Sequence, residues 1–187
     1  MEDQKNLFTN SCNFMDVKPI MVELPYPPIQ IEERNQGYAN LLSVDYCGSV
    51  SELSAITQYI NNENRMTCAQ CSFAKTILGI AMAEMIHLQK LGELIFLLGG
   101  SIDYTAKMRN GSSKMWTPEY ITIPMNLREM LIADIESEKD AIQQYKMHID
   151  MIRDNAVNAV LARIIRDEEY HIIMLQALMD ELEKSGS

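Results

Sequence analysis

The stretch "RDEEYHIIML", residues 166 to 175, decides how this chain folds, together with "AEMIHLQKL", residues 83 to 91. Both space large apolar residues three, four and seven apart, as in a helix with one buried face. Each also sets a Glu-x-x-His pair on that face, Glu84 with His87 and Glu168 with His171. An ionised side chain among apolar neighbours costs several kcal/mol unless an opposite charge compensates it. The two stretches therefore predict two core helices whose buried glutamates and histidines interact with a common partner of compensating charge.

Each Glu-x-x-His pair is preceded by a glutamate and a tyrosine seven residues apart. Glu52 and Tyr59 precede the first pair, and Glu138 and Tyr145 precede the second. Glu138 lies on an apolar face of its predicted helix, whereas the competing Glu136 has charged and polar neighbours at helical spacing. The chain is therefore an internal repeat of two halves. Each half has two helices, the first with a glutamate and the second with Glu-x-x-His.

The four glutamates and two histidines are candidate ligands for two metal ions. Glutamate and histidine three residues apart lie on one side of a helical turn. Two divalent cations would compensate the buried charges by binding oxygen and nitrogen directly. The six candidates are Glu52, Glu84, His87, Glu138, Glu168 and His171. An alternative exists for Glu52, because Ser49-x-x-Glu52 also fits a capping box that closes a helix end.

The periodicity predicts four helices, with short links inside each pair and a long crossover between the pairs. Residues 1–37 hold four of the six prolines and are expected to form an extended arm. The rest of the chain, residues 38–187, is expected to form the helical domain. Gly99-Gly100 predicts a helix end, and Asn126 with Glu129 predicts a helix start. The expected helices cover about residues 49–64, 67–98, 126–152 and 157–183, and "EYITI", residues 119–123, is a candidate extended piece.

This pattern resembles the ferritin-like superfamily over about residues 45 to 183. "KTILGIAMAEMIHLQKLGELI" and "IIRDEEYHIIML" are similar to the second and fourth helices of the rubrerythrin and manganese-catalase branches. "CGSVSELSAITQY" is similar to the first helix of manganese-catalase-like spore-coat proteins. The resemblance implies an all-α, ferritin-like four-helix bundle that binds two transition-metal ions, iron or manganese. By the resemblance, the expected terminal ligands are Glu52, His87, Glu138 and His171, and the expected bridging ligands are Glu84 and Glu168. The resemblance also implies an oxidoreductase that acts on hydrogen peroxide or dioxygen, a homo-oligomer, and an optional separate electron donor.

Three residues outside the ligand set are expected to support it. By the resemblance, Asp167 accepts the N–H of His87 and fixes its tautomer. Ala83 is the equivalent residue in the first half, so His171 needs another partner. Tyr59 and Tyr145 are expected to be core residues that donate to a ligand carboxylate. His148 lies outside the repeat and is expected to be exposed or beside a ligand.

The resemblance leaves three functions open. Rubrerythrins carry an extra glutamate three residues after the third-helix ligand, where this chain has Ala141, and no second C-x-x-C encodes a rubredoxin-type iron centre. Both absences favour peroxide disproportionation at a manganese pair, or ferroxidase activity. The alternatives are a ferroxidase or iron-storage protein, and a structural coat-like protein whose metal site is not catalytic.

The composition argues against two classes of binding partner. The formal net charge is −10 and the isoelectric point is about 4.7. This acidity argues against binding nucleic acid or an anionic membrane surface. The apolar run 77–98 is interrupted by charged residues, which argues against a membrane span. The N-terminus shows no secretory signal, so the expected location is the cytoplasm.

The four cysteines are expected to be thiols in a reducing compartment. Cys68 and Cys71 form one C-x-x-C at the start of the predicted second helix. Two neighbouring core thiols are the expected interpretation, and a redox pair or half of a zinc site are the alternatives.

Overall fold

Five α-helices make up most of the part of the chain that the computed structural model describes, residues 12–66 and 70–185. The last four pack as two antiparallel pairs, α2 with α3 and α4 with α5. Residues 98–126 cross over between the pairs. The predicted all-α bundle of two helix pairs with a long crossover is confirmed. The helices are α1 (Gln36–Cys47), α2 (Glu52–Met66), α3 (Cys71–Leu97), α4 (Leu127–Met151) and α5 (Asn155–Ser185).

Helix α1 was not predicted. The Asn35 side chain accepts from the backbone N–H of Tyr38 and so begins the helix. Ala39, Leu42 and Tyr46 then bury one face of α1 against α3 and the crossover. The helical domain therefore includes an additional helix before the repeat.

The predicted end of α3 and the predicted start of α4 are confirmed. Gly99 follows α3 with φ +94°, the left-handed conformation that suits glycine. Asn126 Oδ1 accepts from the backbone N–H of Glu129 at 2.9 Å, which satisfies one free donor of α4.

The crossover contains a short hairpin that the sequence did not predict. Strands β1 (Thr105–Lys107) and β2 (Ser113–Met115) are antiparallel, with Thr105 opposite Met115. The hairpin packs on α1. A 3-10 helix follows at Pro118–Tyr120, so the expectation of an extended piece at residues 119–123 was wrong for its first two residues.

The arm, residues 12–34, contains no helix or strand and crosses α3 and α5. The Ile20 N–H donates to the Gly79 carbonyl of α3 at 2.9 Å. A Cβ at Gly79 would lie 2.8 Å from the Ile20 side chain and 3.0 Å from the Lys18 carbonyl. Glycine is therefore required at this point for the arm to lie directly against α3.

Helix α3 is long and apolar enough to cross a membrane by length and composition alone. Half of its most apolar window is buried inside the protein, however, and both polar side chains of its Glu-x-x-His pair are buried there. These features are typical of the core helix of a bundle.

The expectation that all cysteines are thiols was wrong for two of them. Cys12 at the start of the arm and Cys71 at the start of α3 form a disulfide. Cys71 is exposed, so it is not a core thiol either. Cys68, the other half of the C-x-x-C, lies outside the described residues. Cys47 is a buried thiol, and burial raises its pKa to about 11.

Candidate metal centre

Six side chains from four helices meet in the middle of the bundle. We call Glu52, Glu84, His87, Glu138, Glu168 and His171 the ligand cluster. Each is at most 3 % exposed. Within it, ligand-type atoms lie no more than 4.8 Å apart in two groups. One group consists of Glu52, Glu84, His87 and Glu168, and the other of Glu84, Glu138, Glu168 and His171.

Glu84 and Glu168 belong to both groups, and each directs its two oxygens to different histidines. Glu84 places Oε2 2.7 Å from His87 Nδ1 and Oε1 3.1 Å from His171 Nδ1. Glu168 places Oε1 3.3 Å from His87 Nδ1 and Oε2 2.9 Å from His171 Nδ1. A carboxylate that spans two sites in this way has the arrangement of a bridging ligand.

The other two glutamates each face one group. Glu52 Oε2 lies 3.6 Å from His87 Nδ1, and Glu138 Oε1 lies 3.5 Å from His171 Nδ1. The capping alternative for Glu52 does not hold, because its buried side chain faces the cluster and Ser51 Oγ accepts from the Ser54 N–H. Glu136, the competitor of Glu138, is exposed.

Both histidines present Nδ1 to the cluster, because Nε2 is bonded on the far side. His87 Nε2 lies 3.1 Å from Asp167 Oδ2, and His171 Nε2 donates to the Ile20 carbonyl at 2.8 Å. An Nε2–H held in this way leaves the Nδ1 lone pair free for a metal. The aspartate lies where the resemblance implied, and the partner that His171 needed is a backbone atom of the arm.

The two tyrosines each support the glutamate of the other half. Tyr59 of α2 donates to Glu138 of α4, and Tyr145 of α4 donates to Glu52 of α2. Each tyrosine lies about two turns beyond the glutamate of its own helix, and α2 and α4 lie side by side. The repeat therefore produces two crossed hydrogen bonds that orient the outer glutamates.

The spacing continues to a further polar residue in each half, whose partner was not predicted. Three residues after Tyr59, Asn62 donates to both oxygens of the buried Asp134 at 2.9 Å. Three residues after Tyr145, the buried His148 lies 2.7 Å from Asp45 Oδ2. His148 is therefore not exposed. The shared interval after each tyrosine could have indicated both residues.

Without metal, the ligand cluster crowds four carboxyl groups together in a buried site, where burial and their mutual repulsion oppose ionisation. Burial, together with the charges of Glu84 and Glu168, raises the pKa of Glu138 to about 8 and the pKa of Glu52 well above its ordinary value. Burial opposes ionisation of Glu84, but His171 and His87 outweigh it and hold the pKa of Glu84 below its ordinary value. The metal-free cluster therefore keeps protons on its outer glutamates.

The histidines retain protons for the complementary reason. Burial alone would lower the pKa of His87 and His171, but the neighbouring carboxylates outweigh burial and raise both pKa values well above the ordinary value. Since metal ligands must be deprotonated, metal binding here would release protons.

The donor set fits a pair of divalent cations. Glu84 Oε1, Glu168 Oε2 and His171 Nδ1 are buried, and although His171 Nδ1 lies 3.1 and 2.9 Å from the two oxygens, none of the three atoms makes a well-formed hydrogen bond. Buried polar atoms of native proteins are nearly always bonded, so three such atoms together indicate a missing partner. Mixed carboxylate and imidazole donors suit iron and manganese, among other transition metals. The chain therefore carries the carboxylate and histidine groups for a dinuclear metal site.

A cavity of about 10 Å³ adjoins the cluster between α2 and α4. All four glutamates of the cluster line it, together with Asp45, Ala141 and Tyr145. A volume of this size accommodates about one water molecule. The cavity is therefore too small for an organic substrate.

Comparison with known proteins finds relatives in sequence. A probable manganese catalase of Clostridium acetobutylicum is 24% identical in an alignment of 176 residues that covers 85% of this chain and 77% of that protein. The bacterioferritin BfrA of Mycobacterium tuberculosis is 30% identical over 140 residues, 73% of this chain and 81% of that protein.

Two solved structures support the comparison. The manganese catalase KatB from Anabaena superposes with a TM-score of 0.74 at 25% identity, covering 86% of this chain and 78% of that one. The Mycobacterium tuberculosis BfrA structure has a TM-score of 0.68 at 25% identity, covering 81% and 89%. The ferritin-like domain model matches residues 51–185, so this chain belongs to the ferritin-like family.

Proposed function

We propose that this protein is a dinuclear metal oxidoreductase that disproportionates hydrogen peroxide, with the ligand cluster as its metal site. The observation that carries the proposal is the pair of shared glutamates, whose two oxygens face different histidines. The bound ions, manganese or iron, would supply the redox change by cycling between two oxidation states. The likeness to manganese catalases supports this chemistry over a purely structural metal site.

The reaction balances without an external reductant. One peroxide is oxidised to dioxygen and gives up two electrons and two protons, and a second peroxide takes them and becomes two water molecules. The protein must therefore bind peroxide, exclude larger reductants and hold two protons between the oxidation of one peroxide and the reduction of the next. The small cavity beside the cluster supports the exclusion of larger reductants. Asp45 lines that cavity and contacts His148, so its carboxylate is a candidate proton holder.

Ala141 supports disproportionation over a reductant-driven peroxidase. It lines the cavity three residues after Glu138, where rubrerythrins resembling this chain carry a glutamate. A methyl group cannot coordinate, so the ligand exchange that such a glutamate allows has no equivalent at this position.

Oxygen release tests the proposal. Protein loaded separately with manganese and with iron is expected to evolve one dioxygen for every two peroxides consumed, without added reductant. The measurement is oxygen evolution with an oxygen electrode, alongside peroxide loss. If neither form releases oxygen and the iron form consumes peroxide only with a reductant, the catalase proposal fails and a peroxidase with a separate donor replaces it.

Iron oxidation and storage is the second candidate, supported by the 30% identity to a bacterioferritin. It requires a closed cage of many subunits, whereas a catalase functions as a smaller homo-oligomer. Light scattering coupled to size-exclusion chromatography distinguishes the two assemblies. A cage that accumulates many iron atoms per chain would favour storage, and a small oligomer would exclude it.

A further inference from the structure

The arm contacts the outer side of the histidine ligand of α5. The Ile20 carbonyl accepts from His171 Nε2 at 2.8 Å, and the Ile20 N–H donates to the Gly79 carbonyl of α3. One arm residue therefore joins a ligand of α5 to the backbone of α3. His171 is 0 % exposed, because the arm covers the side of the ring that points away from the cluster.

The arm also contacts Asp167, which holds the other histidine. The Val22 N–H donates to Asp167 Oδ1 at 2.8 Å, and the Tyr26 hydroxyl donates to Oδ2 at 3.0 Å. Oδ2 is the oxygen that lies 3.1 Å from His87 Nε2. The tyrosine and the histidine thus meet at one carboxylate oxygen.

Arg163 fastens the arm at the same place. Its guanidinium lies 2.7 Å from Asp167 Oδ1 and donates to the carbonyls of Leu24 and Val22 at 2.9 and 3.0 Å. It also lies over the Tyr26 ring at 4.5 Å. The Leu24 and Val22 carbonyls of the arm are therefore bonded to a residue that also contacts Asp167, the partner of His87.

From these contacts we infer that the arm is a positioning element of the metal centre, so that arm docking and metal binding are thermodynamically coupled. The inference rests on the proposed metal site. A docked arm supplies the Nε2 partner of His171 and fixes Asp167, the Nε2 partner of His87, so that both Nδ1 atoms are held toward the metals. An undocked arm leaves His171 Nε2 and one side of Asp167 without these partners. By linkage, metal that binds the docked form better must also strengthen docking by the same factor.

Amide exchange of the arm tests one direction of the coupling. Manganese is added to the full-length protein, and hydrogen–deuterium exchange is followed at residues 18–26. The Ile20 and Val22 amides are expected to exchange at least about 10-fold more slowly with metal, because their acceptors are Gly79 and Asp167. Equal exchange with and without bound metal would contradict the coupling.

Two variants test the other direction. Tyr26→Phe removes one donor to Asp167 and keeps the ring, and Gly79→Ala places a Cβ 2.8 Å from the Ile20 side chain. Each is expected to weaken manganese affinity about 10-fold or more, as loss of an outer partner of a ligand typically does. Tyr38→Phe is the matched control, because this half-buried tyrosine accepts from the Arg153 N–H away from the cluster.

Metal affinity and metal-free melting temperature together separate positioning from a general loss of stability. Positioning predicts that Tyr26→Phe weakens affinity while its metal-free melting temperature stays close to that of Tyr38→Phe. If the parent protein binds two ions and both Tyr26→Phe and Tyr38→Phe keep its affinity within twofold, the inference is overturned even where Gly79→Ala fails to fold. If the parent protein binds no pair of ions, the proposed function fails instead.

Discussion

Substituting either shared glutamate, Glu84→Ala or Glu168→Ala, is expected to reduce the metal content from about two ions per chain to nearly none. Each of these glutamates contributes an oxygen to both groups of the ligand cluster. Its loss therefore removes one donor from both ions at once. Glu84→Ala removes the carboxylate that lies 2.7 Å from His87 Nδ1 and 3.1 Å from His171 Nδ1. Glu168→Ala removes the carboxylate that lies 3.3 Å and 2.9 Å from the same two atoms.

The histidine variants are expected to be less severe. His87 and His171 each belong to one group only. His87→Ala or His171→Ala should therefore remove much of the metal, with the ion of the intact group lost last. Elemental analysis after a chelator wash and gel filtration measures the content of each variant. One zinc ion per chain, unchanged in both histidine variants, would contradict the ligand assignment.

Two controls make the result specific. Glu136→Ala removes a carboxylate from the same helix as Glu138, but that side chain is exposed, so full metal content is expected. Glu84→Gln keeps the volume and one carbonyl oxygen but loses the charge, so a content between those of Glu84→Ala and the parent protein is expected. Circular dichroism of each variant checks that the helices are retained.

The ligand cluster was predictable because its ionisable side chains have apolar neighbours at helical spacing. Glu84 and Glu168 lie on faces whose helical neighbours are apolar, and periodicity alone places them in the core. The duplication then groups them with Glu52 and Glu138, because each half repeats the same interval from acid to tyrosine. The rule that ionisable side chains avoid an apolar core is broken in the same way in both halves, and such exceptions mark functional sites.

The arm contacts were not predictable, because they depend on backbone atoms. The acceptor for His171 is the carbonyl of Ile20, and the donor to Asp167 is the N–H of Val22. Neither side chain carries a signal of that role. Prolines indicated an extended segment, but not the helices that it covers. The close approach required at Gly79 becomes visible only when the arm lies against α3.

Helix α1 was not predicted, and His148 was named without its partner Asp45, for different reasons. Ala39, Leu42 and Tyr46 do have helical spacing, but α1 is short and follows a proline-rich segment, so its signal was weak. His148 pairs with Asp45 from α1, more than a hundred residues earlier in the chain. Without α1 in the prediction, the histidine had no partner to be buried against.

The metal-free protein is expected to melt at a lower temperature than the metal-bound protein, and the difference should widen as pH rises from 5 to 8. Burial and the neighbouring glutamates raise the pKa of Glu138 from 4.5 to about 8 in the folded state. Between these values the folded state holds a proton that the unfolded state has lost. Stability from this group is therefore present at low pH and decreases as pH rises toward 8.

The histidines act in the same direction. The folded pKa of His87 and of His171 is raised well above 6.5 by the surrounding carboxylates. Their contribution is complete below 6.5 and is lost as pH rises through the folded value. Glu84 has a lowered pKa and acts in the opposite direction, but its effect falls below its ordinary value of 4.5, outside this range. The groups that titrate between pH 5 and 8 thus destabilise the metal-free fold together.

Differential scanning calorimetry of metal-free and manganese-loaded protein at each pH measures this effect. A loss of about 2 kcal/mol lowers the melting temperature by several degrees for a chain of this size. Glu138→Gln removes one titrating carboxyl at constant volume, so its metal-free slope should be shallower, whereas the exposed Glu136→Gln should keep the parent slope. Metal-free and metal-bound melting temperatures that coincide from pH 5 to 8 would mean that these acids are not crowded. The metal-bound melting temperature should not fall over this range, because the ligands that hold metal carry no proton to lose and the cations compensate their charge.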